Sequence, residues 1–194
     1  MKQAIIALAI LLITTLAGAA DKIPAHPQIL VETNEGSFRM ELATSEAPHT
    51  VKHFLELVDA GFYDGLIFHR VISDFMVQAG GYTPGFKLRE DETMVVNESG
   101  NSMSNVRGTV AMARTNDPHS ANSQFFINLA DNSRLDPRKS PVQGRWGYTV
   151  FAYVVAGMEV VDKIAAVETA PQGEHANAPI IPIVIKSISQ IKGD

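Results

Sequence analysis

The chain has 194 residues, 45% hydrophobic and 19% charged, with no cysteine and a formal net charge of -5. That length suits one domain with an ordinary core, and the missing thiol excludes a disulfide scaffold, a thiolate zinc centre, a Cys nucleophile and a Cys-ligated iron–sulfur cluster. The charge has the wrong sign for a chain built to hold phosphate backbones.

Residues 1–20 read as an address. Lys2 precedes an apolar run from Ala4 to Ile13, and small residues follow. Ala17-Gly18-Ala19, or the overlapping Gly18-Ala19-Ala20, supplies the small-x-small pattern ahead of a cleavage point. A retained membrane anchor is the poorer reading, because the run is short for a ~30 Å hydrocarbon core and no basic cluster stops transfer. Without a cysteine the segment is not a lipoprotein signal. A removed secretory signal is therefore expected, with a mature chain starting at Ala20 or Asp21, a short lead over 21–27, and one domain over 28–191. Removing 1–20 leaves 15 Lys and Arg against 21 Asp and Glu.

From Gln28 the apolar residues alternate. Ile29, Val31 and Thr33 share a face, and beyond Asn34-Glu35-Gly36 so do Phe38, Met40 and Leu42, which predicts a hairpin. Val51, Phe54, Leu55 and Val58 then switch to helical spacing, with Pro48 suited to the first turn and Gly61 to the stop. Strands are predicted over 66–72, 75–79, 94–97, 108–114, 124–129 and 148–155, a second helix over 160–167, and a closing strand over 180–191. Eight or so short strands with two helices predict a mainly β architecture: a closed eight-stranded antiparallel β-barrel capped by two α-helices, with no bare sheet edge. The long connections over 80–93 and 130–147 are expected to be functional rims or mobile surface.

Several chemistries lack support. His49 and His53 have a metal-holding spacing, but Thr-Val-Lys lies between them and no Glu is placed to activate water, so both read as solvated surface residues. Neither a G-x-S-x-G elbow nor a phosphate loop occurs, and Gly80-Gly81 alone reads as a bend. Residues 68–81 are more informative. On a strand, Arg70 and Ile72 point together, as do Met76 and Gln78, so a cation, an amide, a Met and the nearby Phe75 could line one pocket wall. By periodicity alone, barrel packing with an outward, solvated Arg is an equal reading.

The stretch FHRVISDFMVQAGGY at 68–82 resembles the signature of the cyclophilins, the peptidyl-prolyl cis-trans isomerases. NVRGTVAMAR at 105–114, NSQFFINL at 122–129 and GYTVF at 147–151 follow in family order, so the resemblance covers about 28–191. Ala-Asp-Asn at 130–132 with Leu135-Asp136 resembles the bacterial exported branch, which implies a periplasmic protein acting on proline-containing segments of exported, folding polypeptides. The resemblance implies that Arg70 is the catalytic arginine and that Gln78 holds the carbonyl near the rotating bond. It implies a proline-ring pocket of Phe75, Met76, Phe126 and Leu135, and a neighbouring groove of Ala113, Arg114 and Gln124. There Arg114 would bind peptide through its backbone. Tyr148 stands where many cyclophilins carry a histidine. No metal, cofactor, covalent intermediate or nucleic-acid partner is implied, and nothing demands more than a monomer. His69 is expected on the opposite strand face, as a structural residue. A holding module without turnover would be expected to lack Arg70 or the ring pocket, and both are present. Arg134 occupies a position that is often aromatic in the family, so weak cyclosporin binding is expected.

Overall fold

The computed structural model describes residues 26–138 and 145–191; the expected leader, most of the 21–27 lead and 139–144 of the second long loop lie outside them. In chain order the elements are β1 (Gln28–Thr33), β2 (Gly36–Leu42), α1 (Pro48–Asp59), β3 (Phe68–Ile72), β4 (Met76–Ala79), β5 (Thr109–Met112) and β6 (Phe125–Asn128). A 3₁₀ turn at Ser133–Leu135 follows, then β7 (Val150–Ala156), α2 (Met158–Ala165), β8 (Thr169–Gln172), β9 (His175–Pro179) and β10 (Ile185–Ile191).

The period-two segments pair as their patterning requires. Thr33 holds the β1–β2 turn: its hydroxyl donates to the Gly36 carbonyl at 2.7 Å and accepts from the Glu35 amide at 3.0 Å. On α1, Val51, Phe54, Leu55 and Val58 are all buried. Ala47 has no side chain able to cap this helix. The distant Glu98 does so instead, accepting from the Thr50 amide at 2.9 Å and the His49 amide at 3.2 Å, which places a carboxylate at the positive end of the helix dipole. His49 is exposed as expected, but His53 is buried and its Nε2 lies 2.9 Å from the Asn122 carbonyl. Its place on the buried face of α1 decides this, next to Phe54.

Eight strands form one antiparallel sheet in the order β10-β1-β2-β7-β5-β6-β4-β3. The mainly β fold with two helices agrees with expectation; the closed barrel does not. The sheet is a strongly curled half-barrel. Among the described residues its edge strands meet at a single bridge, Ile67 to Val184, flanked by hydrogen bonds from Phe68 N to Ile183 O and from Ile185 N to Leu66 O. The cause is local. A closing ladder would run through 180–184, where Pro182 has no N–H to give and Ile180 and Ile181 face solvent. The predicted strand over 180–191 is accordingly shortened to Ile185–Ile191.

Other departures have similar origins. The predicted strand over 94–97 is reduced to one bridge, Val95 to Ala121. The hairpin of β8 and β9 was not predicted, because Thr-Ala-Pro-Gln and His-Ala-Asn-Ala-Pro carry prolines and no apolar alternation; prolines are tolerated there because the two strands stand outside the main sheet. Helix α2 begins two residues early, at Met158. Gly157 precedes it at φ +80°, where a Cβ would lie 2.7 Å from the Ser37 carbonyl, so glycine is required at this junction.

The sheet buries both faces, which explains why β5 and β6 are buried at every position. Val71, Val77, Phe125, Ile127 and Phe151 point into the main core under the helices. Their neighbours Met76, Ala111, Phe126 and Val150 form a second cluster on the other face, joined by Ile72, Phe75, Ala113, Leu135 and Tyr148.

Candidate active site

The second face carries a register row that crosses five strands. Arg70 on β3 opposes Gln78 on β4, Gln78 opposes Phe126 on β6, Phe126 opposes Ala111 on β5, and Ala111 opposes Val150 on β7. Antiparallel pairing sends directly opposed side chains to the same side, so strand order turns residues far apart in sequence into neighbours. A cavity of ≈ 360 Å³ opens over this row. Arg70, Phe75, Met76, Gln78, Ala113, Arg114, Gln124, Phe126, Leu135 and Tyr148, the ten residues predicted for the site, all line it.

Its polar side is a relay of amides. Arg70 Nη1 donates to Gln78 Oε1 at 3.4 Å, and Gln78 Nε2 donates to Gln124 Oε1 at 3.0 Å. This fixes which way the Gln78 amide points and leaves one of its N–H bonds available to the cavity. Gln124 passes so close to Gly81 that a Cβ there would meet its side chain at 2.7 Å, so the glycine is a space requirement and not merely a bend. Along the groove, Ala113 N donates to Gln124 O at 2.9 Å, whereas the backbone N–H and carbonyl of Arg114 have no partner among the described residues. The Arg114 guanidinium donates to the carbonyls of Gly147, Thr115 and Trp146 and lies 4.5 Å from the Tyr148 ring centroid.

The apolar side is a cup. Phe126 and Tyr148 meet edge to face at 5.6 Å between centroids, with Phe75, Met76 and Leu135 completing the walls. These walls come from four chain segments and are tied together from behind by a buried polar network. Asn132 Nδ2 donates to the Phe75 carbonyl and to Asn128 Oδ1, both at 2.8 Å. Asn128 donates to Thr109 Oγ1 at 2.9 Å and to Asn105 Oδ1 at 3.3 Å. Asn105 in turn donates to Asp136 Oδ1 at 2.9 Å and to the Tyr148 carbonyl. Burial raises the Asp136 pKa, but hydrogen bonds from Ser104 and Asn105 outweigh it and hold the carboxyl below its ordinary value.

His69 departs from its expected placement. Phe68 pairs with Ala79 and Arg70 with Gln78, so three residues of β3 span two of β4. The bulge leaves His69 pointing neither into the core nor outward. It lines the cavity beside Arg70, 2% exposed, with ring centroids 4.7 Å from Tyr82 and 5.5 Å from His175. Burial, reinforced by the charges of His175 and Arg70, lowers its pKa to about 3. His69 is thus held neutral far below the pH at which a free histidine takes up a proton. Tyr82 and His175 also line the cavity and were missed. Tyr82 closes the first sequence motif and was legible there; His175 sits on the hairpin that the sequence concealed.

This gives a pH prediction. In the unfolded chain His69 binds a proton near pH 6.5, and in the fold only near pH 3. Stability is therefore fully present above about 6.5 and is lost progressively as pH falls towards 3. Thermal melts of the protein should show this decline, and His69→Phe should flatten it; an unchanged slope in the variant would refute the assignment. Any contribution from Asp136 falls in a lower window, fading only as pH drops below about 3.8.

The chain matches the family described as cyclophilin type peptidyl-prolyl cis-trans isomerase/CLD over residues 28–190. It is 47% identical over 161 residues to peptidyl-prolyl cis-trans isomerase B of Escherichia coli, covering 83% of this chain and 98% of the relative. With peptidyl-prolyl cis-trans isomerase A of Dickeya dadantii it shares 44% identity over 98% of both chains. Its fold matches a cyclophilin-type isomerase of Cryptosporidium parvum solved in the presence of the dipeptide Ala-Pro, with a TM-score of 0.70 at 24% identity over 86% of this chain and 99% of that one.

Proposed function

The chain belongs to the cyclophilin-type peptidyl-prolyl cis-trans isomerases, and from that premise we propose how its site turns an X–Pro bond and where the protein works. The proline ring of a substrate segment seats in the cup of Phe75, Met76, Phe126, Leu135 and Tyr148. The free N–H of Gln78 holds the carbonyl beside the rotating bond, and the unpartnered backbone of Arg114 pairs with the segment in the groove lined by Ala113 and Gln124.

Amide resonance sets a barrier of ~18–20 kcal/mol, and uncatalysed exchange takes roughly tens to hundreds of seconds. Millisecond turnover is about 10⁵-fold faster, or ~7 kcal/mol off the barrier. As the bond twists, the prolyl nitrogen loses conjugation and regains a lone pair. Arg70 donates to it only then, so the interaction favours the transition state over the ground state. A preorganised donor of this type contributes ~3–4 kcal/mol; seating the ring and excluding water supply the rest. No proton is transferred and no covalent bond forms.

The observation that carries this reading is the Arg70–Gln78–Gln124 relay standing directly beside the aromatic cup. A protease-coupled assay of cis-to-trans conversion in a proline tetrapeptide tests it. Acceleration by the purified protein is the expected result, and tight peptide binding without acceleration would point to a holding module instead.

The protein is exported and acts as a monomer on proline-containing segments of folding periplasmic proteins. The leader over 1–20 supports this, as does the absence of thiols that could mispair in an oxidising compartment. N-terminal sequencing of the protein from a periplasmic fraction should give Ala20 or Asp21; an intact Met1 would refute export with cleavage.

Inhibition by cyclosporin should be weak. The Arg134 guanidinium lies 4.5 Å from the Phe75 ring centroid, so an apolar macrocycle meets a charge over one wall of the cup. Micromolar or weaker inhibition is expected, and submicromolar inhibition would count against this view of Arg134.

A further inference from the structure

The cavity wall is cationic on a chain that is acidic overall. Of the eight arginines, Arg70 and Arg114 line it, Arg134 lies over its Phe75 wall and Arg145 is bound to Arg134, although the chain carries a net charge of -5. On the far side of the sheet Arg107 has a carboxylate partner, its Nη2 reaching both oxygens of Asp162 at 2.8 Å, and Arg89 donates to the carbonyls of Phe62 and Asp64. Around the cavity, among the described residues, no arginine makes an ion pair. Arg114 donates only to carbonyls, and Arg70 donates to an amide oxygen. Arg145 Nη2 donates to the carbonyl of Arg134, and the Arg134 guanidinium lies over Phe75. Both Arg134 and Arg145 are exposed.

The acids nearby are committed. Asp136 is occupied by Ser104 and by the backbone and side chain of Asn105. Asp131 accepts the Arg107 amide at 3.1 Å. Among the described residues the guanidinium groups of Arg70, Arg114, Arg134 and Arg145 thus stand at one cleft without an ion-pair partner, an arrangement that favours oppositely charged ligands. Held by backbone carbonyls and an aromatic face, these guanidinium groups also lose little freedom on meeting a carboxylate.

We infer that this wall selects X–Pro segments carrying Asp or Glu within a few residues of the proline, with Arg134 and Arg145 as the specificity-determining groups beside the ring pocket. The inference rests on the isomerase activity and adds a substrate class to it: acidic proline segments are preferred, and Lys- or Arg-flanked ones are disfavoured.

Three peptides test it, identical apart from Glu, Gln or Lys on both sides of one Ala-Pro bond. At low ionic strength kcat/KM for the Glu peptide should exceed that for the Gln peptide about fivefold, with the Lys peptide lower by a similar factor, because each exposed ion pair contributes modestly. The spread should collapse in ~0.5 M salt, where the screening length shrinks to a few ångström. In Arg134→Gln the Glu-to-Gln ratio should fall at least about twofold, and in Arg134→Gln with Arg145→Gln it should approach one. Equal rates for the three peptides at low salt would overturn the inference while leaving the isomerase intact. Failure to turn over even the Gln peptide would overturn the isomerase reading, and this inference with it. An unchanged ratio in the double variant would remove Arg134 and Arg145 from the role, and salt dependence in the unaltered protein checks the charge effect without any variant.

Discussion

Arg70→Ala is expected to lower kcat/KM for a proline tetrapeptide at least a hundredfold while the protein stays folded. The side chain is half-buried on β3 and, among the described residues, makes one 3.4 Å hydrogen bond, to Gln78, with no carboxylate partner. Its removal therefore strands no buried charge and opens no core cavity, since the apolar core lies on the opposite face. On the proposed mechanism the variant loses the cationic donor to the prolyl nitrogen, and ~3–4 kcal/mol of transition-state stabilisation corresponds to roughly 10²–10³ in rate. Because KM reports ring seating and groove pairing, the loss should fall on kcat. Arg70→Lys, a single rotatable ammonium in place of a planar fork, should recover only part of it. An independent signature accompanies the change: the Arg70 charge helps to depress the His69 pKa, so His69 should titrate at higher pH in the alanine variant, visible in its ring proton resonances. Near-normal turnover in a folded Arg70→Ala protein would sink the mechanism.

Asn128→Leu should have the largest effect on stability. Asn128 is fully buried and sits at the junction of the network behind the cup, donating to Asn105 and Thr109 and accepting from Asn132. Leucine keeps the approximate volume but leaves those partners facing a hydrocarbon. An unsatisfied buried polar group costs ~1–3 kcal/mol, and members of a network cost more together than singly. A loss of about 3–5 kcal/mol is expected, which for a domain of this size lowers Tm by roughly 10 °C. The network also fixes the Phe75 carbonyl through Asn132 and the Tyr148 carbonyl through Asn105. KM should therefore rise as well, even at temperatures where the variant is fully folded. A variant with wild-type Tm would refute the structural weight given to this junction.

Much of the fold was legible because strands and helices bury alternate faces. Ile29, Val31, Phe38 and Met40 announce their hairpin by period two, and Val51, Phe54, Leu55 and Val58 announce α1 by its helical spacing. The ten predicted site residues share one cavity because their motifs occupy strands that become neighbours in the sheet. What the sequence concealed involves exceptions to periodicity. A bulge costs one residue of register and left no compositional trace around His69. Prolines hid β8 and β9, and with them His175. The convergence of Asn105, Asn128, Asn132 and Asp136 into one network was not legible either, since nothing local says that four such residues meet.

The sequence by itself determined the mainly β class, the two helices, the absence of thiol chemistry and the resemblance that identifies the activity, because these depend on residue type and on spacing along the chain. Only the tertiary structure decided that the sheet stops at a half-barrel, that His69 joins the cavity wall, and that a chain of net negative charge gathers at its cavity arginines that have no ion-pair partner among the described residues. Each of these depends on which groups are left without a partner once the backbone has folded: Pro182 with no N–H to close the ladder, the extra residue of a bulge with no cross-strand mate, guanidinium groups that, among the described residues, form no ion pair. Partnership is a property of three-dimensional neighbours, and one-dimensional spacing does not record it.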